Sequence, residues 1–100
     1  MLTQFNITQW ALNAAGNGAL RTLQNGAGSG NVHRQIIVSG AFGGTTLTFE
    51  VTVDNGTTWV PLTGVSITAP GVTSINLKVP GIRPVLTGGA GIDITVSLVS

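Results

Sequence analysis

Leu47-Thr48-Phe49-Glu50-Val51-Thr52-Val53 alternates large apolar and polar residues without a break. Side chains on a β-strand point to opposite faces with a period of two, so this stretch predicts a strand with Leu47, Phe49, Val51 and Val53 on a core face and the polar residues in solvent. Ile75-Asn76-Leu77-Lys78-Val79 and Ile92-Asp93-Ile94-Thr95-Val96-Ser97-Leu98 repeat the pattern, with Lys78 and Asp93 in outward phase. Helical spacing is sustained nowhere.

Working outward from the first strand, Asp54-Asn55-Gly56-Thr57 carries residues that tolerate the positive φ of tight turns, and Thr58-Trp59-Val60-Pro61-Leu62 follows as the returning strand of a β-hairpin. Pro61 cannot donate to a ladder, so the strand carrying Trp59 is expected at an edge or to finish there. Gly40 to Gly44, Pro70-Gly71, Pro80-Gly81 and Gly88-Gly89-Ala90-Gly91 mark further turns. Between them lie strand-length pieces at Asn31 to Ser39, Val65 to Ala69 and Ile82 to Thr87. Strands about ten residues apart with glycine-rich turns predict an all-β fold, an antiparallel β-sandwich of roughly seven or eight strands.

Residues 1 to 30 read differently. Phe5/Ile7 and Trp10/Leu12 alternate in two phases, and glycines crowd the stretch from Asn13 to Gly30. We therefore expect an extended N-terminal arm over residues 1–30 with one or two short strands, Leu20 to Gln24 being the better candidate, ahead of a sandwich domain over residues 31–100. Phe5, Trp10 and Leu12 are candidate contacts with a neighbouring subunit. The competing reading folds them back over their own core.

The chain has 100 residues, four Lys/Arg against three Asp/Glu, one His, no Cys and 42% apolar residues. High hydrophobicity with little charge excludes a disordered tail, and a formal charge of +1 lacks the basic stripe of a nucleic-acid binder. One domain of about 13 Å radius of gyration is expected. Without cysteine there is neither a disulfide framework nor a thiolate zinc site. No apolar run approaches the roughly 20 residues of a spanning helix, and Met1 to Phe5 lacks the basic start of a signal peptide, so a soluble chain beginning near Met1 is expected. Asn6-Ile7-Thr8 and Asn55-Gly56-Thr57 match the glycosylation pattern, but they read as ordinary strand and turn residues.

Chemistry is scarce. Glu50, Asp54, Asp93 and His33 are the only residues with acid/base pKa values near or below neutral. Glu50 lies on a polar strand face, Asp54 opens a turn, and Asp93 points outward beside Thr95 and Ser97. His33-Arg34 suggests an anion contact, although a strand opening on polar residues explains it equally, and one histidine without a second ligand is no metal site. Gly26-Ala27-Gly28-Ser29-Gly30 lacks the Lys-Ser/Thr of a phosphate loop, no Gly-x-Ser-x-Gly elbow occurs, and Asp54-Asn55-Gly56 lacks the ligand run of a calcium loop. Arg21, Arg34, Lys78 and Arg83 are scattered. The sequence thus predicts no catalytic residue, no metal and no cofactor. Trp59, beside the hairpin turn, is a candidate glycan-stacking residue, the alternative being a ring packed across its own core.

Ser39-Gly40-Ala41-Phe42-Gly43-Gly44, the alternating strand, Asp54-Asn55-Gly56-Thr57-Thr58-Trp59, Thr68-Ala69-Pro70-Gly71 and an arginine-bearing strand at Ile82 to Val85 together resemble small β-sandwich virion proteins of tailed bacteriophages, over roughly residues 35–100. The resemblance implies an Ig-like or jelly-roll-like sandwich serving as a capsid cement or decoration protein. Such a protein lies on the outside of the shell, binds the major capsid protein and is often trimeric; similar modules occur in neck, tail and fibre parts. A thin core and an almost uncharged surface independently favour a homo-oligomer, trimer preferred. No nucleic-acid or membrane partner is expected, and the virion, after synthesis in the host cytoplasm, is the expected location.

Overall fold

A computed structural model describes residues 7–22, 33–77 and 79–99. Its strands are β1 (Ile7–Leu12), β2 (Gly16–Asn17), β3 (Arg21–Thr22), β4 (His33–Ala41), β5 (Thr46–Thr52), β6 (Val60–Pro61), β7 (Gly71–Asn76), β8 (Gly81–Thr87) and β9 (Asp93–Val99). No helix occurs among the described residues. All pairings are antiparallel. One sheet has the order β1-β9-β4-β7, and the other β2-β8-β5-β6 with β3 also on β8. The radius of gyration is 13.3 Å.

The two sheets bury one shared apolar layer. Ile36 and Val38 from β4, Leu47 and Phe49 from β5, Ile82 and Leu86 from β8, and Ile94, Val96 and Leu98 from β9 meet there. Alternation is clean in β4, where Arg34, Ile36 and Val38 point inward and His33, Gln35, Ile37 and Ser39 outward. The expected strands around Leu47, Ile82 and Ile94 form, whereas the one expected over Ile75 to Val79 lies further toward the N-terminus: β7 runs Gly71–Asn76, and Lys78 lies outside the described residues. The hairpin strand with Pro61 is a two-residue edge that pairs Val51 with Val60 and ends at the proline, for want of its N–H. The piece from Val65 to Ala69 is reduced to one bridge, Ile67 to Leu47.

A further expectation needs correction. Val53 is not a core residue: it is 79% exposed, because β5 ends at Thr52, which itself turns inward. The Thr52 hydroxyl accepts the backbone N–H groups of Asp54 (3.3 Å) and Gly56 (3.0 Å) and donates to Asp54 Oδ1 at 2.8 Å, so the loop takes the inner position. Within the stretch Leu20 to Gln24, Arg21–Thr22 is strand, and Leu23 and Gln24 lie outside the described residues. From Ile7 onward, moreover, the N-terminal region is laid into both sheets. β1 pairs with β9 along its whole length, Ile7 opposite Val99 and Leu12 opposite Ile94.

Pro84 explains why the strand beside β8 is broken into β2 and β3. Pro84 lies opposite Phe49, whose carbonyl is turned the other way and accepts Leu62 N–H at 2.9 Å. The Pro84 carbonyl accepts Gly18 N–H at 2.7 Å. In an antiparallel ladder a residue's N and C=O point to the same side, so the missing N–H also faces the gap at Gly18 to Leu20. A Cβ on Gly18 would lie 2.5 Å from Pro84 Cγ. The glycine lets the chain cross the proline ring.

Two sheet-to-sheet corners meet at backbone distance. The loop from β4 to β5 and the loop from β8 to β9 are tied by Ala90 N–H to Gly43 O at 2.9 Å. A Cβ on Gly43 would sit 2.0 Å from that neighbour's carbonyl oxygen, and φ is +61° there, so only glycine fits.

Candidate interaction surface

The outward side of the β1-β9-β4-β7 sheet is built from cross-strand rows. One row runs Gln9, Ser97, Ile37, Val72; the next runs Ile7, Val99, Gln35, Ser74. Gln9 Nε2 donates to Ser97 Oγ at 3.0 Å, and His33 Nδ1 stands 3.4 Å from Asn76 Oδ1. Ile37 (38%), Ile7 (58%) and Val72 (61%) are the exposed large apolar side chains on this side. Among the described residues of this face, only His33 and Asp93 titrate, and they stand at opposite ends.

The edges of the two sheets differ. In the β2-β8-β5-β6 sheet one edge strand is broken at Gly18, and the other is two residues long and closed by Pro61. Among the described residues the other sheet ends in β1 (Ile-Thr-Gln-Trp-Ala-Leu) and β7 (Gly-Val-Thr-Ser-Ile-Asn), each six residues long with no charge and no proline. Native edges are usually blunted by charge, proline or brevity, and an unblunted edge is a template for another strand.

The sequence-predicted site residues fall in separate places. Trp10 is not a surface contact: it is 3% exposed, 6.3 Å centroid to centroid from Phe49, with its indole N–H donated to Ala19 O at 2.8 Å. Leu12 packs half-buried against the same core, and Phe5 lies outside the described residues. The fold-back reading holds for Trp10 and Leu12, since alternation in β1 turns Thr8, Trp10 and Leu12 inward and Ile7, Gln9 and Ala11 outward.

Trp59 is half-buried over the other sheet. The Arg83 guanidinium carbon lies 4.0 Å from its ring centroid, and Arg83 Nε donates to Glu50 Oε1 at 2.8 Å. Gly56 approaches the same ring, a Cβ there falling 3.5 Å from Trp59 Cζ2. Arg83 therefore occupies a face that a sugar ring would need. Glu50 pairs with that arginine, consistent with a solvent-side ion pair partly shielded by the indole.

Arg34 does not present itself to a surface anion. It points inward, 3% exposed, and donates Nε–H to Leu77 O at 2.9 Å. Loss of solvent pulls its pKa below the ordinary arginine value. Asp54 acts as turn chemistry: its carboxylate accepts Thr58 N–H at 2.8 Å and the Thr52 hydroxyl at 2.8 Å, and these bonds, the first foremost, hold its pKa below the ordinary carboxylate value. Asn55 (φ +60°) and Gly56 (φ +90°) supply the two positive-φ positions of a type I′ turn. Asp93 is exposed, as its phase predicts.

Among the described residues no three His, Cys, Asp or Glu side chains gather to hold a metal. A pocket of about 190 Å³ lined by Leu20, Thr52, Val53, Pro80 and Gly81 is smaller than the roughly 300 Å³ at which ligand sites begin, and a depression of about 340 Å³ beside β1, lined by Ile7, Thr8, Gln9, Arg21 and Thr22, is shallow and open to solvent. Among the described residues the surface feature that stands out is the uncharged sheet face with β1 and β7 at its edges. Local sequence pattern missed it, because Ile37 and Val72 become neighbours only through strand pairing. No protein family, curated protein or solved structure matches this chain.

Proposed function

We propose that this chain is a structural virion protein, a capsid cement or decoration protein that binds the outer surface of a phage shell and stabilises contacts between major capsid subunits. One observation carries the reading: two unblunted, uncharged edge strands belong to the same sheet, while both edges of the other sheet are closed. A strand from a capsid subunit added to β1 or β7 gains main-chain hydrogen bonds without burying a charge. Many copies acting on one shell turn modest individual contacts into firm attachment. The resemblance over residues 35–100 supplies the phage context, and with it the Ig-like or jelly-roll-like connectivity. The protein carries no reaction of its own and needs no cofactor in this reading.

The test is direct. Purified protein mixed with undecorated capsids is expected to co-sediment with the shells and raise their disruption temperature. Absence of uptake sinks the reading. Copy number separates it from a neck, tail or fibre role: a shell takes up on the order of hundreds of copies, which is how multivalent attachment builds strength, and a tail far fewer.

A further inference from the structure

We infer that Asn55 is a self-modification site, at which the Gly56 nitrogen attacks the Asn55 side-chain amide, and that the Thr52 hydroxyl is the brake on this reaction. Three Asn-Gly pairs occur in the chain, Asn17-Gly18, Asn25-Gly26 and Asn55-Gly56. Glycine after asparagine leaves the backbone nitrogen unshielded, because it has no Cβ. That nitrogen loses its proton, bonds to the asparagine Cγ and expels the side-chain nitrogen as ammonia, which closes a succinimide ring. Water then opens the ring at either carbonyl and leaves aspartate or isoaspartate. No other reagent is consumed.

The nucleophile is the deprotonated amide, so a hydrogen bond donated by that N–H holds the reaction back. The fold supplies one at both described pairs. Gly18 N–H is donated to the Pro84 carbonyl at 2.7 Å, with Asn17 in β2 opposite Val85. Gly56 N–H is donated to Thr52 Oγ1 at 3.0 Å. Asn25 and Gly26 lie outside the described residues.

The two guards differ in kind. At Gly18 the acceptor is a main-chain carbonyl, which no side-chain substitution removes. At Gly56 it is one hydroxyl on a residue 2% exposed, shared with Asp54 N–H at 3.3 Å and itself donated to Asp54 Oδ1 at 2.8 Å. Asn55 is exposed at the tip of the turn, so water reaches the ring and ammonia leaves freely. A loop also opens at lower cost than a paired strand, which makes Asn55 the described pair whose rate hangs on a single side chain. Isoaspartate lengthens the main chain by a methylene where Asn55 and Gly56 hold φ of +60° and +90°. A two-residue type I′ turn has no place for it. The Thr52 hydroxyl thus fixes how long the hairpin that carries Trp59 stays intact, whatever the chain binds.

Incubating the folded full chain at mildly alkaline pH, followed by peptide mapping with mass spectrometry, reads each asparagine separately. Thr52→Val removes the hydroxyl at nearly equal volume and is expected to speed deamidation at Asn55 by about tenfold, while Asn17 keeps its rate. Thr52→Ser retains the hydroxyl and is expected to keep the parent rate. Hydrogen exchange removes the same proton, so the Gly56 amide is expected to be protected in the parent and to lose that protection in Thr52→Val. An unchanged Asn55 rate in Thr52→Val, a rise shared equally by Asn17, or a parent Gly56 amide that exchanges as fast as in the urea-unfolded chain overturns the proposal. If Thr52→Val does not fold, exchange in the parent decides alone: a protected Gly56 amide supports the brake, and an unprotected one refutes it.

Discussion

The guanidinium of Arg83 lies 4.0 Å from the centroid of the Trp59 ring while its Nε holds Glu50 at 2.8 Å. One arginine thereby links a side chain of β5 to the indole that follows the hairpin turn. Its cation is partly desolvated, which strengthens its attraction to the π face. A double-mutant cycle of Arg83→Ala and Trp59→Ala in urea is expected to give a coupling of about 0.5–1 kcal/mol. Additive losses would show that the stack contributes nothing to the fold.

Gly18→Ala tests the crossing over Pro84. The added methyl falls 2.5 Å from Cγ and 2.8 Å from Cδ of a ring that cannot swing aside. Overpacking of this kind costs about 1–3 kcal/mol, and the loss is expected to shrink when Pro84→Ala is introduced as well. Thermal unfolding of the three variants reads both effects.

Gly88 and Gly89 separate backbone strain from close packing. Both have positive φ, +74° and +89°, but a Cβ on Gly88 meets open space whereas one on Gly89 comes within 2.6 Å of Thr45 N. Gly88→Ala is expected to cost about 1–2 kcal/mol, the ordinary penalty of a left-handed residue. Gly89→Ala adds a backbone clash and should lower the unfolding midpoint distinctly further; equal losses would argue against the tight corner.

Asp54 makes the hairpin loop acid-sensitive. Its folded pKa is depressed, foremost by the Thr58 N–H bond, so its contribution is fully present above the unfolded carboxylate value of about 3.9 and is lost as pH falls through the lower folded value. The melting temperature is expected to drop over that acid window, and Asp54→Asn should flatten the drop while leaving the curve above pH 5 almost parallel. A variant as acid-sensitive as the parent would contradict this.

Strands that bury one face wrote themselves plainly into the sequence. β5 and β9 alternate because a one-residue slip would carry every apolar side chain into water. Val53 misleads because a hydroxyl at Thr52, satisfying two backbone N–H groups, outweighed the apolar period at the strand end. β1 was blurred by Ile7, an apolar residue on the solvent side, although Trp10 and Leu12 already shared the inward phase. The outward face was not legible at all. Its Ile37 is hidden within the apolar run Ile36-Ile37-Val38, Val72 stands alone between Gly71 and Thr73, and only the β4–β7 register unites them.

The pairing of Ile7 with Val99 also decides how the molecule bears load. β1 and β9 are antiparallel neighbours, so the two ends of the described chain leave from the same end of the sheet. Tension applied between them peels the ladder one pair at a time, and such a zipper yields at low force. Tension entering through the sheet edges is shared by several hydrogen bonds in shear. In the role proposed above, the chain is therefore best gripped along its strands, not by the ends of its described part.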